Sequence, residues 1–252
     1  MRRFYRAATG WIHTRWLGGL QAAFIVRSLN VQAAFRRSPP ANGALVLDAG
    51  CGEGASLTAL MARRYPDTRF VAMDMFILTP PDPKPPNMEL RELDIMHASF
   101  DASFDIVYSL DLLEHVEGPG AVLKNFHRWM RPRGRLYLHT PAAGEFHFFK
   151  GAQEGERPAF REVRKGDMHM REGFSPEDIS VLLAAAGFEN IRLRRTFSPA
   201  TWFFKELFTI GERGRVPGIG ILLMPFMVAG TIWDRFFPPR RGNGLWFEAV
   251  KS

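Results

Sequence analysis

The chain has 252 residues, 46% of them apolar and 23% charged, a balance that excludes a disordered polymer and suits one large domain with an appendage. Its single cysteine, Cys51, excludes an intramolecular disulfide and any multi-cysteine zinc or iron–sulfur site, and fits a reducing, cytoplasmic setting. The net charge of +7 is all N-terminal, because residues 1–47 hold seven arginines and no acidic residue, leaving 26 basic against 26 acidic residues elsewhere.

Residues 1–40 read as a basic aromatic arm. Arg2, Arg3, Arg6, Arg15, Arg27, Arg36 and Arg37 alternate there with Phe4, Tyr5, Trp11, Trp16, Phe24 and Phe35. Arginines beside aromatics suit an anionic membrane surface, and the same pattern also suits a helix that packs its aromatics on a core. His13 and Arg15 interrupt any apolar stretch of a secretory signal. Ser38-Pro39-Pro40-Ala41-Asn42-Gly43 ends the arm as a loop.

From there strands and helices alternate. The apolar run Ala44 to Asp48 predicts a buried strand, and Ser56 to Tyr65 a helix with Leu57, Leu60 and Met61 on one face. Phe70 to Met73 is a second strand, followed by five prolines between Thr79 and Pro86. Leu90 to Leu93 and Phe104 to Ser109 are further strands, Val122 to Met130 a helix, and Arg135 to His139 a fifth strand. Ser175 caps a helix through Ala186, with Pro176 in its first turn and Gly187 at its end. Phe188 to Arg194 and Gly244 to Val250 form a closing pair of strands. This βαβ alternation predicts a doubly wound, mainly parallel α/β sheet of seven strands, with a core over 41–195 and a final strand in 244–252.

The sharpest motif is Val46-Leu47-Asp48-Ala49-Gly50-Cys51-Gly52-Glu53-Gly54, between the first strand and the first helix. Glycines at alternate positions let the backbone turn tightly and approach a ligand without a Cβ in the way. A dinucleotide fingerprint has different spacing, and the Asp48 carboxylate would repel a pyrophosphate while attracting an ammonium or sulfonium. The spacing therefore points to a nucleoside without phosphates. Asp74 ends the second strand where a carboxylate can accept both ribose hydroxyls. Asp94 and Ile95 follow the third strand, and Ser109 ends the fourth above the switch point of the sheet.

With VLDAGCGEG, FVAMDM, LRELDI, SFDIVYSLDLLEHV and GRLYLHTP in this order, the chain resembles the class I S-adenosylmethionine (SAM)-dependent methyltransferases over residues 44–195 and the final strand. The motif style is similar to that of quinone-pathway O-methyltransferases. The resemblance implies a Rossmann-like sheet with an antiparallel last strand and S-adenosyl-L-methionine as cofactor. Asp48, Gly50, Gly52 and Gly54 would surround the methionyl moiety, Asp74 would take the ribose, Met75 would pack on adenine, and Asp94 with Ile95 would read its amino edge. Ser109 belongs to the same cofactor edge. The proline-rich loop after Asp74 departs from the family, which usually continues there into a helix.

Transfer to oxygen or nitrogen needs a base. His115 is the candidate, with Glu114 as its orienter or as a cofactor contact, although the pair also suits capping and packing. Asp111, Glu114 and His115 share a helical face and, with His169, could hold a divalent cation as in small-RNA 2′-O-methyltransferases. Asp111 stands where that pattern has Glu, and no metal is expected. His139 and His147 are expected to be packing or substrate-wall residues.

Between the closing strands lies an unusually long insertion, 196–243. Val216 to Trp233 is 18 residues without a charge, while Pro217, Gly218, Gly220, Pro225 and Gly230 argue against one straight span. Trp202 to Phe208 is aromatic and amphipathic. The insertion is expected to be either a hydrophobic lid or membrane anchor receiving a lipid-like acceptor, or a broken helical hairpin that covers the sheet or forms a dimer face. The favoured reading is an O-methyltransferase for an apolar or lipid-linked small-molecule acceptor, peripherally bound to the cytoplasmic face of an anionic membrane. One competitor is an RNA methyltransferase using the arginine arm, but it leaves the apolar insertion unexplained, so nucleic acid is not the expected partner. The other is a non-catalytic SAM-binding scaffold subunit. The sequence does not fix the oligomeric state.

Overall fold

The computed structural model describes residues 22–101, 104–149, 172–213 and 218–252. Helix α1 spans Ala22–Arg37, and strand β1, Leu45–Ala49, leads into α2, Ser56–Arg64. β2 (Arg69–Asp74), β3 (Met88–Glu92) and β4 (Phe104–Leu110) follow, then a 3₁₀ turn at Leu113–His115 and α3, Pro119–Trp129. β5 (Met130–Pro141), α4 (Pro176–Ala185), β6 (Phe188–Thr196), α5 (Pro199–Arg213), α6 (Ile219–Phe236) and β7 (Gly244–Lys251) complete the chain. The strands form one sheet in the order β3-β2-β1-β4-β5-β7-β6. All pairs are parallel except those of β7, which runs antiparallel to both β5 and β6. The seven-stranded doubly wound sheet with its reversed last strand is the expected one.

Central strands are mostly apolar on both faces because helices cover both. Leu47, Val107 and Leu136 face α3 and α4, where Phe126, Trp129, Ile179 and Leu183 close one layer. Val46, Ile106 and Tyr137 face the other layer, which Met61 of α2 and Phe35 of α1 fill. Leu57 and Met61 are buried on α2 while Leu60 is exposed, so the apolar face is narrower than its sequence suggests. The Ser175 hydroxyl accepts from the Asp178 amide at 3.0 Å, the cap expected for α4.

On α1, Val31, Ala34 and Phe35 fall at helical spacing and enter the core, with Phe35 ringed by Tyr65, Tyr108 and Tyr137 at 5.7 to 6.0 Å. Phe35 thus packs on the core. Phe4, Tyr5, Trp11, Trp16 and the twin arginines lie outside the described residues, as does the side chain of Phe24.

The insertion is a tight antiparallel helical hairpin seated on α1, where Ile25 joins Phe208, Leu223 and Met227. The expected break in its second half does not occur, and α6 runs unbroken through Pro225 and Gly230. Its glycines serve contact instead. A Cβ on Gly230 would stand 2.6 Å from the Thr201 hydroxyl, and one on Gly220 2.9 Å from the Phe208 ring. Asp234 closes the far end, accepting from the Ser198 amide and the Thr201 hydroxyl at 3.0 Å each. Every exposed position of α6 is apolar, in a stripe through Leu222, Phe226, Ile232, Trp233 and Phe236. The helix has 18 residues and a mean hydropathy of 1.4, long and apolar enough to cross a membrane, with 22% of it buried.

Candidate active site

Crossovers leave β1 and β4 in opposite directions, so a crevice opens between their carboxyl ends, where α/β sheets bind ligands. The Gly50–Ala55 loop forms one wall. Its Gly50 and Cys51 amides both donate to the Met73 carbonyl, at 2.8 and 3.0 Å, which bends the chain back over β2. Gly50 (φ 80) and Gly52 (φ 71) take the left-handed conformation that side chains resist. A Cβ on Gly50 would meet Leu112 at 3.2 Å, whereas one on Gly52 would enter open space. The third left-handed residue is Ala55 (φ 44), and Gly54 keeps an ordinary backbone.

Asp74 reaches across from β2. Its Oδ2 accepts from the Gly52 amide at 2.8 Å and its Oδ1 from the Phe76 amide at 3.2 Å, so the carboxylate stands fixed and half-exposed beside the loop. Next to it Met75 and Phe76 are exposed, an apolar wall on the expected adenine side. Asp94 accepts from the Met96 amide and pairs with His97 Nδ1, at 2.8 and 2.9 Å, and the backbone bond leads in holding its carboxyl below the usual range. Ile95 is buried in the core.

Two residues expected at the ligand are buried and bonded to other protein groups. Asp48 points beneath the loop into the layer under α2, buried, with its Oδ2 2.5 Å from the donating Thr58 hydroxyl. Burial pushes its pKa up to about 7, against the lowering effect of the Thr58 bond. The buried Ser109 hydroxyl donates to the Ala49 carbonyl at 2.8 Å, so it ties β4 to β1. Strand alternation explains both: Asp48 shares a face with Val46, and its register partner is Tyr108 of the core.

The other wall of the crevice is a charged network. Asp111, left-handed at φ 50, forms an ion pair with Arg27 of α1 and approaches His139 Nδ1 at 2.5 Å. His139 Nε2 in turn meets the Thr196 hydroxyl at 3.0 Å. Burial raises the Asp111 pKa, but Arg27 and His139 outweigh it and hold the carboxyl well below the usual range. Glu114 is fully buried, and burial first, then the Asp111 charge, raise its pKa well above normal. Its Oε2 lies 3.5 Å from the Thr140 hydroxyl, and its Oε1 has no hydrogen-bond partner among the described residues. Burial thus favours the protonated form of Glu114, which lies on the same turn as His115. His115, half-buried on the same 3₁₀ turn, acts electrostatically on Asp111. A guanidinium therefore occupies the cation position beside Asp111, and His169 lies outside the described residues.

His139 is committed at both nitrogens, the packing role expected of it. His147 stands at the mouth, its Nδ1 2.9 Å from the buried Glu206 of α5. Sequence reasoning missed Arg27, Thr58 and Glu206. A lone acid inside the aromatic stretch Trp202 to Phe208 was the available signal for Glu206.

Comparison with known proteins follows the same geometry. The family described as "Methyltransferase domain" matches residues 24–193. The ubiquinone biosynthesis O-methyltransferase of Xanthomonas euvesicatoria pv. vesicatoria is 29% identical over 159 residues, 58% of this chain and 63% of that protein. The phosphoethanolamine N-methyltransferase of Triticum aestivum is 27% identical over 160 residues, 59% of this chain and 28% of that protein. The chain thus spans less than two thirds of the length of these relatives. A solved Haemonchus contortus phosphoethanolamine N-methyltransferase 2 in complex with S-adenosyl-L-methionine superposes with a TM-score of 0.60 at 17% identity, over 95% of this chain and 59% of that one. At that identity the likeness concerns the fold.

Proposed function

The chain belongs to the methyltransferase-domain family, with the fold of the class I SAM-dependent enzymes, and from that premise we propose that it methylates an apolar or lipid-linked acceptor at a membrane surface. The residues fit the cofactor. Gly52 offers an approach with no Cβ, Asp74 a fixed carboxylate for ribose hydroxyls, and Met75 and Phe76 an apolar wall for a base. Bound there, S-adenosylmethionine supplies an electrophilic methyl on a sulfonium. Asp48 acts from below, by holding the loop to α2 through Thr58. Asp94 orders its turn, with Ile95 behind it.

The chain's own work is positioning and charge. His115, half-exposed on the 3₁₀ turn after β4, is the base that takes the acceptor's proton. Glu114, whose burial disfavours its charge, lines the same turn, and Asp111 carries the fixed negative charge. An oxygen acceptor such as a quinone-like phenol suits this pairing of a histidine base with a wall made by the 196–243 insertion.

One observation supports the membrane location: the exposed stripe of α6 has no polar residue along about 27 Å of helix, a face that water solvates poorly. Its hairpin begins at Pro199, just past the Thr196 that closes the charged network. The favoured placement is peripheral, on the cytoplasmic leaflet. Sedimentation with liposomes tests it, comparing the natural chain with Phe226→Glu and Trp233→Glu, whose side chains already face outward. The expected result is binding that survives high salt and is lost in both variants, together with label transfer from SAM into membrane extracts. Absence of vesicle binding by the natural chain at any salt would sink the membrane reading.

A further inference from the structure

Helix α1 gathers arginines from three other elements along one side. Asn30, Ala33 and Arg37 fall on successive turns, at i, i+3 and i+7. Arg194 of β6 donates to the Asn30 side chain at 3.0 Å. Arg235 of α6 donates to the Ala33 carbonyl at 3.3 Å. Arg37 itself pairs with Glu248 of β7, Nη2 to Oε2 at 2.5 Å, with Arg36 beside it. Arg135 already answers the partial negative charge at the end of α1, donating to the Ser38 and Pro39 carbonyls.

Among the described residues the row is under-neutralised. The charges acting on Arg194 and Arg235 there are Arg36, Arg37, Glu248 and Asp234, so four guanidiniums face two carboxylates, an excess of two. Both carboxylates are also engaged elsewhere. Glu248 Oε1 accepts from the Trp246 indole at 3.0 Å, and Asp234 caps α5. Burial and mutual repulsion accordingly lower the pKa of Arg194 and of Arg235.

A second observation is independent of charge. Arg194 Nη1 and Asn30 Nδ2 are both buried without a hydrogen-bond partner among the described residues, and they belong to side chains already bonded to each other. Asn30 is 3% exposed. Two adjacent buried donors lacking an acceptor, inside a cluster of excess positive charge, match an anion with more than one oxygen.

We propose that Arg37, Arg194 and Arg235, with Asn30, form a binding site for a phosphate group on the side of α1. Its position favours the phosphate of an anionic lipid. Helical periodicity puts Arg235 one turn from Ile232, on the α1 edge of the exposed stripe of α6, so the site's Arg235 borders the face expected to meet a bilayer. The site's existence does not depend on methyl transfer, since none of these residues belongs to the crevice. Only the lipid source leans on the membrane reading above.

The test uses the full chain and two ligand forms. Co-sedimentation compares phosphatidylcholine vesicles with vesicles containing phosphatidylglycerol. Calorimetric titration uses glycerol 3-phosphate and inorganic phosphate, with chloride at matched ionic strength as control. One variant carries Arg194→Gln with Arg235→Gln, and a second carries Arg235→Gln alone in case the first fails to fold. SAM affinity serves as the check on folding. At roughly fivefold per guanidinium near an anionic surface, the double variant should lose about 25-fold of the preference for phosphatidylglycerol while keeping its SAM affinity. Phosphate binding without lipid preference keeps the site and assigns it a soluble phosphate compound. Equal binding to both vesicles, with no heat from either phosphate, overturns it. Loss of SAM binding with the phosphate response intact would count against the methyl-transfer reading alone.

Discussion

His147 and Glu206 bind the segment after β5 to the insertion, Nδ1 to Oε1 at 2.9 Å. The same buried carboxylate accepts from the Trp202 indole at 2.8 Å and from the Phe148 and Phe149 amides at 2.9 and 3.1 Å. Four donors converge on one acid, which ties the segment after β5 to the first helix of the insertion.

That convergence predicts a large effect from a small change. Glu206→Ala strands the indole and both amides in a buried place, a loss of about 3 kcal/mol or more by the usual cost of unpaired buried groups. Urea unfolding measures it, and amide hydrogen exchange at Phe148 and Phe149 should rise in the variant under native conditions. Glu206→Gln keeps one acceptor oxygen and should fall between the two. Unchanged exchange at both amides would mean that Glu206 does not organise the mouth.

Asp48 gives stability a pH dependence. Its folded pKa, raised to about 7 by burial, exceeds the unfolded value near 3.9, so the native state holds a proton that the unfolded chain releases. Stability from this group is present below about pH 4 and declines as pH rises to 7, by on the order of 4 kcal/mol in all. Glu114, raised for the same reason, tilts the curve the same way. Asp48→Asn keeps an oxygen for the Thr58 hydroxyl and removes the charge. Its unfolding midpoint should vary less between pH 4 and 7 and exceed that of the natural chain at pH 8. Parallel curves for the two chains would contradict the assignment.

Asp48 also shows where sequence reading stops. The order of strands, the capped helix at Ser175 and the glycine loop were legible because each rests on local chemistry: alternation, an N-cap, a Cβ-free turn. Which face a polar residue of a central strand takes was not, since both faces of such a strand are buried and apolar, and Asp48 and Ser109 looked like ligand contacts for that reason. Long-range partners were equally hidden. Nothing near Arg27 announces Asp111, and the glycines of α6 resemble helix breakers until α5 is seen against them. The raised pKa of Glu114 depends on a burial that only the assembled strands create.

Gly50 and Gly52 separate folding from binding. Both have positive φ, so alanine at either costs about 1 kcal/mol of backbone strain. At Gly50 the methyl also meets Leu112 at 3.2 Å, and stability should fall further. At Gly52 it enters the open crevice, so Gly52→Ala should fold nearly normally yet bind SAM at least about tenfold more weakly by calorimetry, the loss of roughly one good contact. Equal SAM affinities for Gly52→Ala and the natural chain would remove the loop from the cofactor site.

Arg27 and Asp111 join α1 to the edge of the crevice, and their pairing is half of a balance. Arg27→Met leaves a buried carboxylate with His139 alone, a loss of about 3 kcal/mol or more. Adding Asp111→Asn removes the stranded charge while keeping an oxygen for His139, and asparagine tolerates the left-handed backbone at this position. The double variant should therefore recover most of the loss, giving a strong coupling in a double-mutant cycle. The pH dependence has the opposite sign from that of Asp48. Because Arg27 and His139 hold the Asp111 pKa below its unfolded value, its stabilisation is full above about pH 4 and fades as pH falls further. The double variant should lose that acid limb, so its unfolding midpoint changes less below pH 4 than that of the natural chain. A cycle that sums to no coupling would show that α1 is held by its apolar face, through Val31, Ala34 and Phe35, without help from the charge.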